Sequence, residues 1–195
     1  GSSTWVATAN FLDNGAVSLA TRQAAYLNLG SYLDNAKGTA AGLFKLTMTI
    51  SPTTGTYISL GFATNNTPNT LKDFTDTGSG AATTVGMATI IYRATNATPT
   101  ANALACFAGP KSALGFGNIT NITGTRTLTV TLDLTPANYN GTTTFGKVTW
   151  SDSVLGFITN HTYTVTANFR SILITESATS GGAVSGLSLT QVTSS

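Results

Sequence analysis

The stretch TRTLTVTLDL, residues 125–134, decides the fold class because its polar and apolar residues alternate strictly from Thr127 onward. Leucine and valine occupy the even positions 128–134, and threonine and one aspartate occupy the odd positions 127–133. A period of two residues places alternate side chains on opposite faces of a β-strand. We therefore predict a strand that buries its Leu and Val side chains and turns threonine outward.

The same threonine-rich character extends over the whole chain of 195 residues. The sequence contains 39 Thr and 17 Ser, whereas only 8% of its residues are charged. Threonine favours pleated sheet, but it lacks the charge by which Lys and Glu normally keep exposed sheet edges apart. Such a surface is expected to pack against copies of itself without burying ions.

Further segments show strand patterns at spacings typical of a sandwich or barrel. GLFKLTMTI (42–50) alternates cleanly, and TYISLGFAT (56–64) follows a Pro-Gly turn as its expected hairpin partner. Other strands are predicted at residues 4–11, 24–33, 85–95, 103–109, 144–152, 161–169, 170–177 and 186–192. No helical period is evident, so the prediction is one all-β domain, residues 1–195, of about a dozen strands.

Composition excludes several function classes. No run approaches the roughly 20 apolar residues of a membrane span. The nine Lys and Arg residues are scattered, which argues against a nucleic-acid surface. A single histidine, His161, predicted to lie on the surface, and a single cysteine, Cys106, predicted to be buried, leave no transition-metal site. No pair of converging carboxylates is visible either, so we do not expect an enzyme.

The loop KDFTDTG, residues 72–78, offers oxygen ligands for calcium. Asp73 and Asp76 could supply carboxylates, together with threonine hydroxyls and backbone carbonyls. The spacing matches no strong calcium motif, so an ordinary polar loop is the simpler interpretation. No other cofactor is expected.

Exposed aromatic side chains could stack on sugar rings. Trp5, Tyr57 and Tyr139 are the candidates, and Tyr139 lies in the turn PANYNG (136–141). Trp150 ends the alternating segment GKVTW, and we expect it to pack in the core at least as readily as it would stack on a sugar ring.

Six N-x-S/T patterns permit N-glycosylation if the protein is exported. A chain with fifteen Asn and so many Ser and Thr residues contains nearly as many of these patterns by chance. The patterns therefore permit glycosylation but do not indicate it. The acceptors are Asn65, Asn96, Asn118, Asn121, Asn140 and Asn160.

Composition favours an extracellular or cell-surface location. The chain begins GSSTW without Met, which is consistent with removal of a signal peptide or with an expression remnant.

Two long segments resemble the ectodomains of bacterial PEP-CTERM-type exported proteins. They are TLTVTLDLTPANYNGTTTFGKVTWSDSVLG (127–156) and ILITESATSGGAVSGLSLTQV (172–192). The pair at 42–50 and 56–64 is similar to the front strands of laminin-G and concanavalin-like domains. The resemblance implies a two-sheet antiparallel β-sandwich of jelly-roll type, associated with cell surfaces and exopolysaccharide. It assigns no functional residue, and the Pro-Glu-Pro sorting tail is not present in the closing LTQVTSS.

Two functions follow as competing predictions. The first is a structural subunit of an extracellular filament or matrix, held together by β-strand pairing between copies of the chain. Residues 1–11 would be its exchangeable strand, with Trp5, Val6, Ala7 and Phe11 as contacts. The alternative is a lectin-like module that binds polysaccharide.

Overall fold

Fourteen strands and one short 3₁₀ helix form in the part of the chain that the computed structural model describes. That part comprises residues 5–7, 12–13, 16–17, 23–52, 57–64, 87–93, 104–108, 112–114, 124–177 and 182–193. The 3₁₀ helix is Asp34–Ala36. The strands are β1 Trp5–Ala7, β2 Leu12–Asp13, β3 Ala16–Val17, β4 Gln23–Asn28, β5 Leu43–Pro52, β6 Tyr57–Ala63, β7 Met87–Arg93, β8 Leu104–Ala108, β9 Ser112–Leu114, β10 Arg126–Asp133, β11 Lys147–Asp152, β12 Gly156–Thr162, β13 Ser171–Ser177 and β14 Gly182–Val192.

The strands form two antiparallel sheets. Sheet 1 has the order β1-β4-β13-β6-β7-β8-β9, and sheet 2 has the order β12-β11-β10-β5-β14-β3-β2. Their facing sides enclose one hydrophobic cluster, to which strands of both sheets contribute. The predicted all-β, two-sheet antiparallel sandwich is confirmed, and the strand count is close to the expected dozen.

The predicted hairpin between residues 42–50 and 56–64 is wrong, because the two strands lie in opposite sheets. β5 pairs with β10 and β14, whereas β6 pairs with β13 and β7. Alternation shows that a segment is a strand but does not show which strand it pairs with. The two strands also differ in burial, since β5 has one accessible face and residues 58–63 of β6 are buried on both faces.

The strand predicted at 161–169 is also wrong. The strand is β12, which ends at Thr162, and residues 163–170 then cross from sheet 2 to sheet 1. Tyr163 and Phe169 are buried in this crossing, but Val165 is 60% exposed. The rings of Tyr163 and Phe169 meet edge to face at 5.5 Å, so these two side chains close the sandwich end instead of lining a sheet.

The strand predicted at 24–33 stops early, at Asn28. The Gly30 amide donates to Asn28 Oδ1 over 2.8 Å, and Gly30 has a φ of 56°. A side-chain oxygen that binds the backbone two residues on competes with the sheet ladder and starts a turn. The chain therefore leaves sheet 1 before Tyr32.

Threonine on the outer face of sheet 2 has a structural role that sequence reasoning did not identify. Hydroxyl groups bridge neighbouring strands, with Thr47 and Ser188 2.9 Å apart and Thr49 and Thr127 2.9 Å apart. These cross-strand pairs satisfy the polar side chains within the surface itself. The inner face of the same sheet carries the predicted apolar residues, including Trp150, which is completely buried.

The outer face of sheet 1 is different. Leu173 and Thr175 of β13 and Ile91 of β7 lie on that face and are fully buried. Ser59 and Thr175 share a short hydroxyl–hydroxyl contact there. Among the residues whose burial the structure describes, the hydroxyl-coated, accessible outer face therefore belongs to sheet 2.

The N-terminal strand β1 pairs with β4 of the same chain, with Trp5 opposite Leu27 and Ala7 opposite Ala25. This pairing places β1 at one edge of sheet 1. Phe11 lies outside the described residues. Exchange of residues 1–11 between copies stays a prediction.

Candidate functional site at the loop end

Three loops meet at one end of the sandwich, which we call the loop end: residues 29–42, 134–146 and 163–170. Backbone hydrogen bonds join them. The Gly38 amide donates to the Leu134 carbonyl over 2.8 Å, and the Phe145 amide donates to the Tyr163 carbonyl over 2.9 Å. Irregular segments tied together in this way can present side chains in fixed positions.

Tyr32 is the most exposed aromatic residue at this end, with 47% of its surface accessible. Its ring is nevertheless fixed. The hydroxyl donates to Gln191 Oε1 over 2.8 Å, and the ring meets Phe44 edge to face at 5.7 Å. Gln191 is itself held, because its amide nitrogen donates to the Ala41 carbonyl over 2.8 Å. The result is a rigid, half-exposed aromatic surface beside a polar amide.

A charged cluster lies on the same loop, a few residues further along the chain. Lys37 Nζ is 2.6 Å from Asp34 Oδ1, and Arg170 donates a hydrogen bond to Asp34 Oδ2. Lys37 also donates to Asn168 Oδ1 over 2.7 Å. Through this bond the ammonium group links the 29–42 loop to the 163–170 crossing. The Lys37 side chain is only 13% exposed.

The two cations determine the protonation of Asp34. Partial burial acts to raise the pKa of this carboxyl group, but the hydrogen bonds and charges of Lys37 and Arg170 outweigh it. The pKa of Asp34 therefore lies below its ordinary value. The carboxylate stays ionised and keeps both cations in place.

Tyr139, a predicted stacking residue, lies at the loop end but is half-buried. Lys37 Nζ is 5.7 Å from its ring centroid, and Phe145 meets its ring edge to face at 6.2 Å. Gly38 and Gly141, both with positive φ, also approach the ring. A Cβ added at these glycines would be 3.8 and 3.6 Å from ring carbons of Tyr139. Less of its ring is accessible than that of Tyr32.

The loop that carries Tyr139 is shaped by two polar side chains. Asp133 Oδ1 accepts from the Thr135 amide over 2.9 Å, and Asp133 Oδ2 accepts from Asn138 Nδ2 over 2.8 Å. Asn140 Oδ1 accepts from the amides of residues 142, 143 and 144. Asn140, one of the predicted glycosylation acceptors, thus organises the turn it lies in.

The opposite end of the sandwich, which we call the turn end, carries the 153–155 turn and a buried ion pair. Arg126 Nη1 is 2.6 Å from Asp152 Oδ2, and these side chains are 10% and 0% exposed. The same Oδ2 accepts from the Leu155 amide over 3.0 Å. Burial raises the pKa of nearby Tyr92, although the charge of Arg126 acts against it. Asp152 therefore both caps this turn and neutralises Arg126, and the sequence analysis did not identify the ion pair.

Several predicted residues are not brought to either end, or cannot be placed. Asn160 is exposed on β12, and the surface position predicted for His161 needs correction, because its ring is half-buried 5.0 Å from that of Tyr163. This burial lowers the pKa of His161. The side chains of Trp5 and Tyr57 are not described. Residues Asp73, Asp76, Asn65, Asn96, Asn118 and Asn121 lie outside the described residues.

The described residues show no group of three or more His, Cys, Asp and Glu side chains that could hold a metal ion. Calcium binding at Asp73 and Asp76 stays a prediction, since both lie outside them. Cys106 is buried in β8 as predicted, and burial raises the pKa of its thiol. Within the described chain, no helix has the length and apolar character needed to cross a membrane.

No family model matches the sequence, and no curated protein matches it. Solved structures of similar fold do exist. The carbohydrate recognition domain of Emp46p, in its potassium-bound form, matches with a TM-score of 0.57 and 9% identity, over 95% of this chain and 87% of that one.

The carbohydrate recognition domain of Emp47p matches with a TM-score of 0.53 and 8% identity, over 96% and 88% of the two chains. Alginate lyase Aly36B follows at 0.49 and 12%, over 94% and 84%. The chain has the lectin-like jelly-roll fold. At such low identity the likeness establishes the fold, and the function must be argued from the site.

Proposed function

We propose that this protein is a non-enzymatic, lectin-like module that binds polysaccharide at its loop end. The observation that carries the proposal is the fixed and half-exposed ring of Tyr32. Holding an aromatic ring rigid in water brings no packing gain on its open face, but it lowers the entropic cost of binding a flat partner. The apolar face of a sugar ring is such a partner.

The polar groups of the loop end complement this surface. Gln191 lies against the Tyr32 hydroxyl, and Asn168 and Arg170 belong to the charged cluster on the same loop system. Amide and guanidinium groups can pair with sugar hydroxyls at the border of an aromatic contact. A module of this kind fits an extracellular or cell-surface location, as does the resemblance to PEP-CTERM-type ectodomains.

The fold is consistent with this function, since the Emp46p and Emp47p domains that share it are named carbohydrate recognition domains. The filament or matrix subunit, which we predicted first from the threonine-rich surface, has no support from these neighbours. We therefore place polysaccharide binding ahead of it.

Replacement of the ring tests the proposal. Binding of soluble β-glucan, mannan and alginate would be measured by calorimetry for the wild type, Tyr32→Ala and Tyr32→Phe. We expect Tyr32→Ala to weaken binding about tenfold and Tyr32→Phe, which keeps the ring, to weaken it far less. Val154→Ala, an exposed apolar residue at the turn end, is the matched control. Tyr32→Ala protein that is folded and binds as tightly as the wild type would exclude this site.

A further inference from the structure

Arg170 carries the accessible positive charge of the charged cluster at the loop end. Lys37 and Arg170 share the single carboxylate of Asp34, so the three side chains together keep one positive charge. The Lys37 side chain is 13% exposed, and its ammonium group also donates to Asn168 Oδ1. The Arg170 side chain is 35% exposed. The charge that Asp34 does not neutralise is therefore presented to solvent by Arg170.

The guanidinium group of Arg170 keeps hydrogen-bond donors for a ligand. A guanidinium group has five N–H donors in a rigid fork, and among the described residues its acceptor is Asp34, which is bonded to Nη1. The Arg170 backbone is also held, because its amide donates to the Ala63 carbonyl over 2.9 Å and its carbonyl accepts from the Leu29 amide over 2.7 Å. Since a guanidinium fork pairs with a carboxylate through two parallel hydrogen bonds, the remaining donors suit a second carboxylate.

The backbone of Leu29 joins Arg170 to Tyr32. The Leu29 amide donates to the Arg170 carbonyl, and the Leu29 carbonyl accepts from the Tyr32 amide over 3.0 Å. Asp34, which holds the guanidinium group, follows Tyr32 by two residues. The short segment 29–34 therefore positions both the exposed ring and the guanidinium group. In a uronic acid the carboxylate is attached directly to the sugar ring, so one sugar unit can reach both groups.

We propose that the polysaccharide bound at the loop end is acidic, and that Arg170 binds the carboxylate of a uronic acid unit beside Tyr32. This inference rests on the proposed function and names its ligand class. Hydrogen bonds between guanidinium and carboxylate groups are about twice as strong as those between neutral groups. Arg170 therefore determines the preference for acidic over neutral polymers, whereas Tyr32 contributes to the binding of both.

Matched ligands separate the two contributions. Oligomers of alginate and of polygalacturonate would be compared by calorimetry with their methyl esters, which keep the sugar ring and linkage but carry no charge. We expect the full chain to bind at least one acid form about tenfold more tightly than its ester. Added NaCl should weaken binding of the acid form only. Arg170→Gln should remove the difference between acid and ester, whereas Tyr32→Ala should weaken binding of both.

Two further variants make the test specific. Lys147→Gln removes the same charge from a half-buried position on the outer face of β11, and as the matched control it should keep the difference. Arg170→Lys preserves the charge but loses the fork, and it should reduce the difference. It replaces Arg170→Gln if circular dichroism shows that the glutamine variant does not fold.

Acid and ester forms that bind equally tightly, with Tyr32→Ala weakening both, would overturn this inference and leave the proposed function standing. Tighter binding of neutral β-glucan or mannan would do the same, as would a folded Arg170 variant that keeps the full difference. Dextran sulfate bound as tightly as the acid oligomers would show attraction to charge without selection of carboxylates, which also overturns it. Binding of no polysaccharide, acidic or neutral, would refute the proposed function together with the inference.

Discussion

Both ends of the sandwich pair a carboxylate with cationic side chains, one at the turn end and two at the loop end, with different results. At the turn end Asp152 and Arg126 are almost completely buried, and the carboxylate also caps the 153–155 turn. At the loop end Asp34 is 23% exposed and is shared by Lys37 and Arg170, which belong to different loops. The buried pair makes the fold rigid, whereas the accessible cluster orders loops and leaves an aromatic ring open.

The largest contrast should appear when each carboxylate is removed. Asp152→Ala leaves Arg126 buried without its counter-ion, and we expect it to cost about 3–5 kcal/mol of unfolding free energy. Asp34→Ala removes a partly solvated group and should cost about 1 kcal/mol. Urea unfolding of both variants measures the difference. Equal costs would show that the two ion pairs do not differ in the way their burial indicates.

A smaller effect should separate stability from binding. Gly38 and Gly156 have φ values of 68° and 73°, and neither has an atom that would clash with an added Cβ. Alanine at either position should therefore cost about 1 kcal/mol through backbone strain alone. We expect only Gly38→Ala, at the loop end, to weaken polysaccharide binding as well. Calorimetry and urea unfolding of the two variants provide the check, and a binding loss in Gly156→Ala would contradict the assignment.

The smallest effect concerns pH. Because the pKa of Asp34 is lowered on folding, its ionised form stabilises the protein at pH values above the ordinary 3.8. That contribution is lost as the pH falls from 3.8 through the lower pKa of the folded state. The wild type should accordingly lose more stability on acidification than Asp34→Asn. Unfolding free energies measured across this range compare the two, and parallel curves would show that Asp34 is not held ionised.

Much of the fold could be predicted from alternation, but the pairing could not. Residues 125–134 predict β10 within a residue or two, since a period of two in so many β-branched residues has no helical interpretation. Nothing local distinguishes β5, with one accessible face, from β6, with none. Their assignment to opposite sheets depends on β13 and β14, more than a hundred residues away in sequence.

The site was only partly predictable for similar reasons. Tyr139 was identified from its turn, but Tyr32 was assigned to a strand because the turn signal at Asn28 and Gly30 was not recognised. The buried ion pair did leave a signal: Arg126 and Asp152 both occupy the even, inward-facing positions of their strands. A charge at a buried position of each of two strands suggests a pair, but only the register of β10 with β11 brings these two residues together.

The most direct test of the loop end as the binding site is to map the contact surface by NMR. A polysaccharide fragment that binds in calorimetry would be added to labelled protein, and chemical shifts would be followed at both ends. We predict that shifts change for Tyr32, the Gln191 side-chain amide and residues of the 29–42 loop, whereas the 153–157 segment is unchanged. Shifts confined to the turn end or to the hydroxyl face of sheet 2 would contradict the central claim.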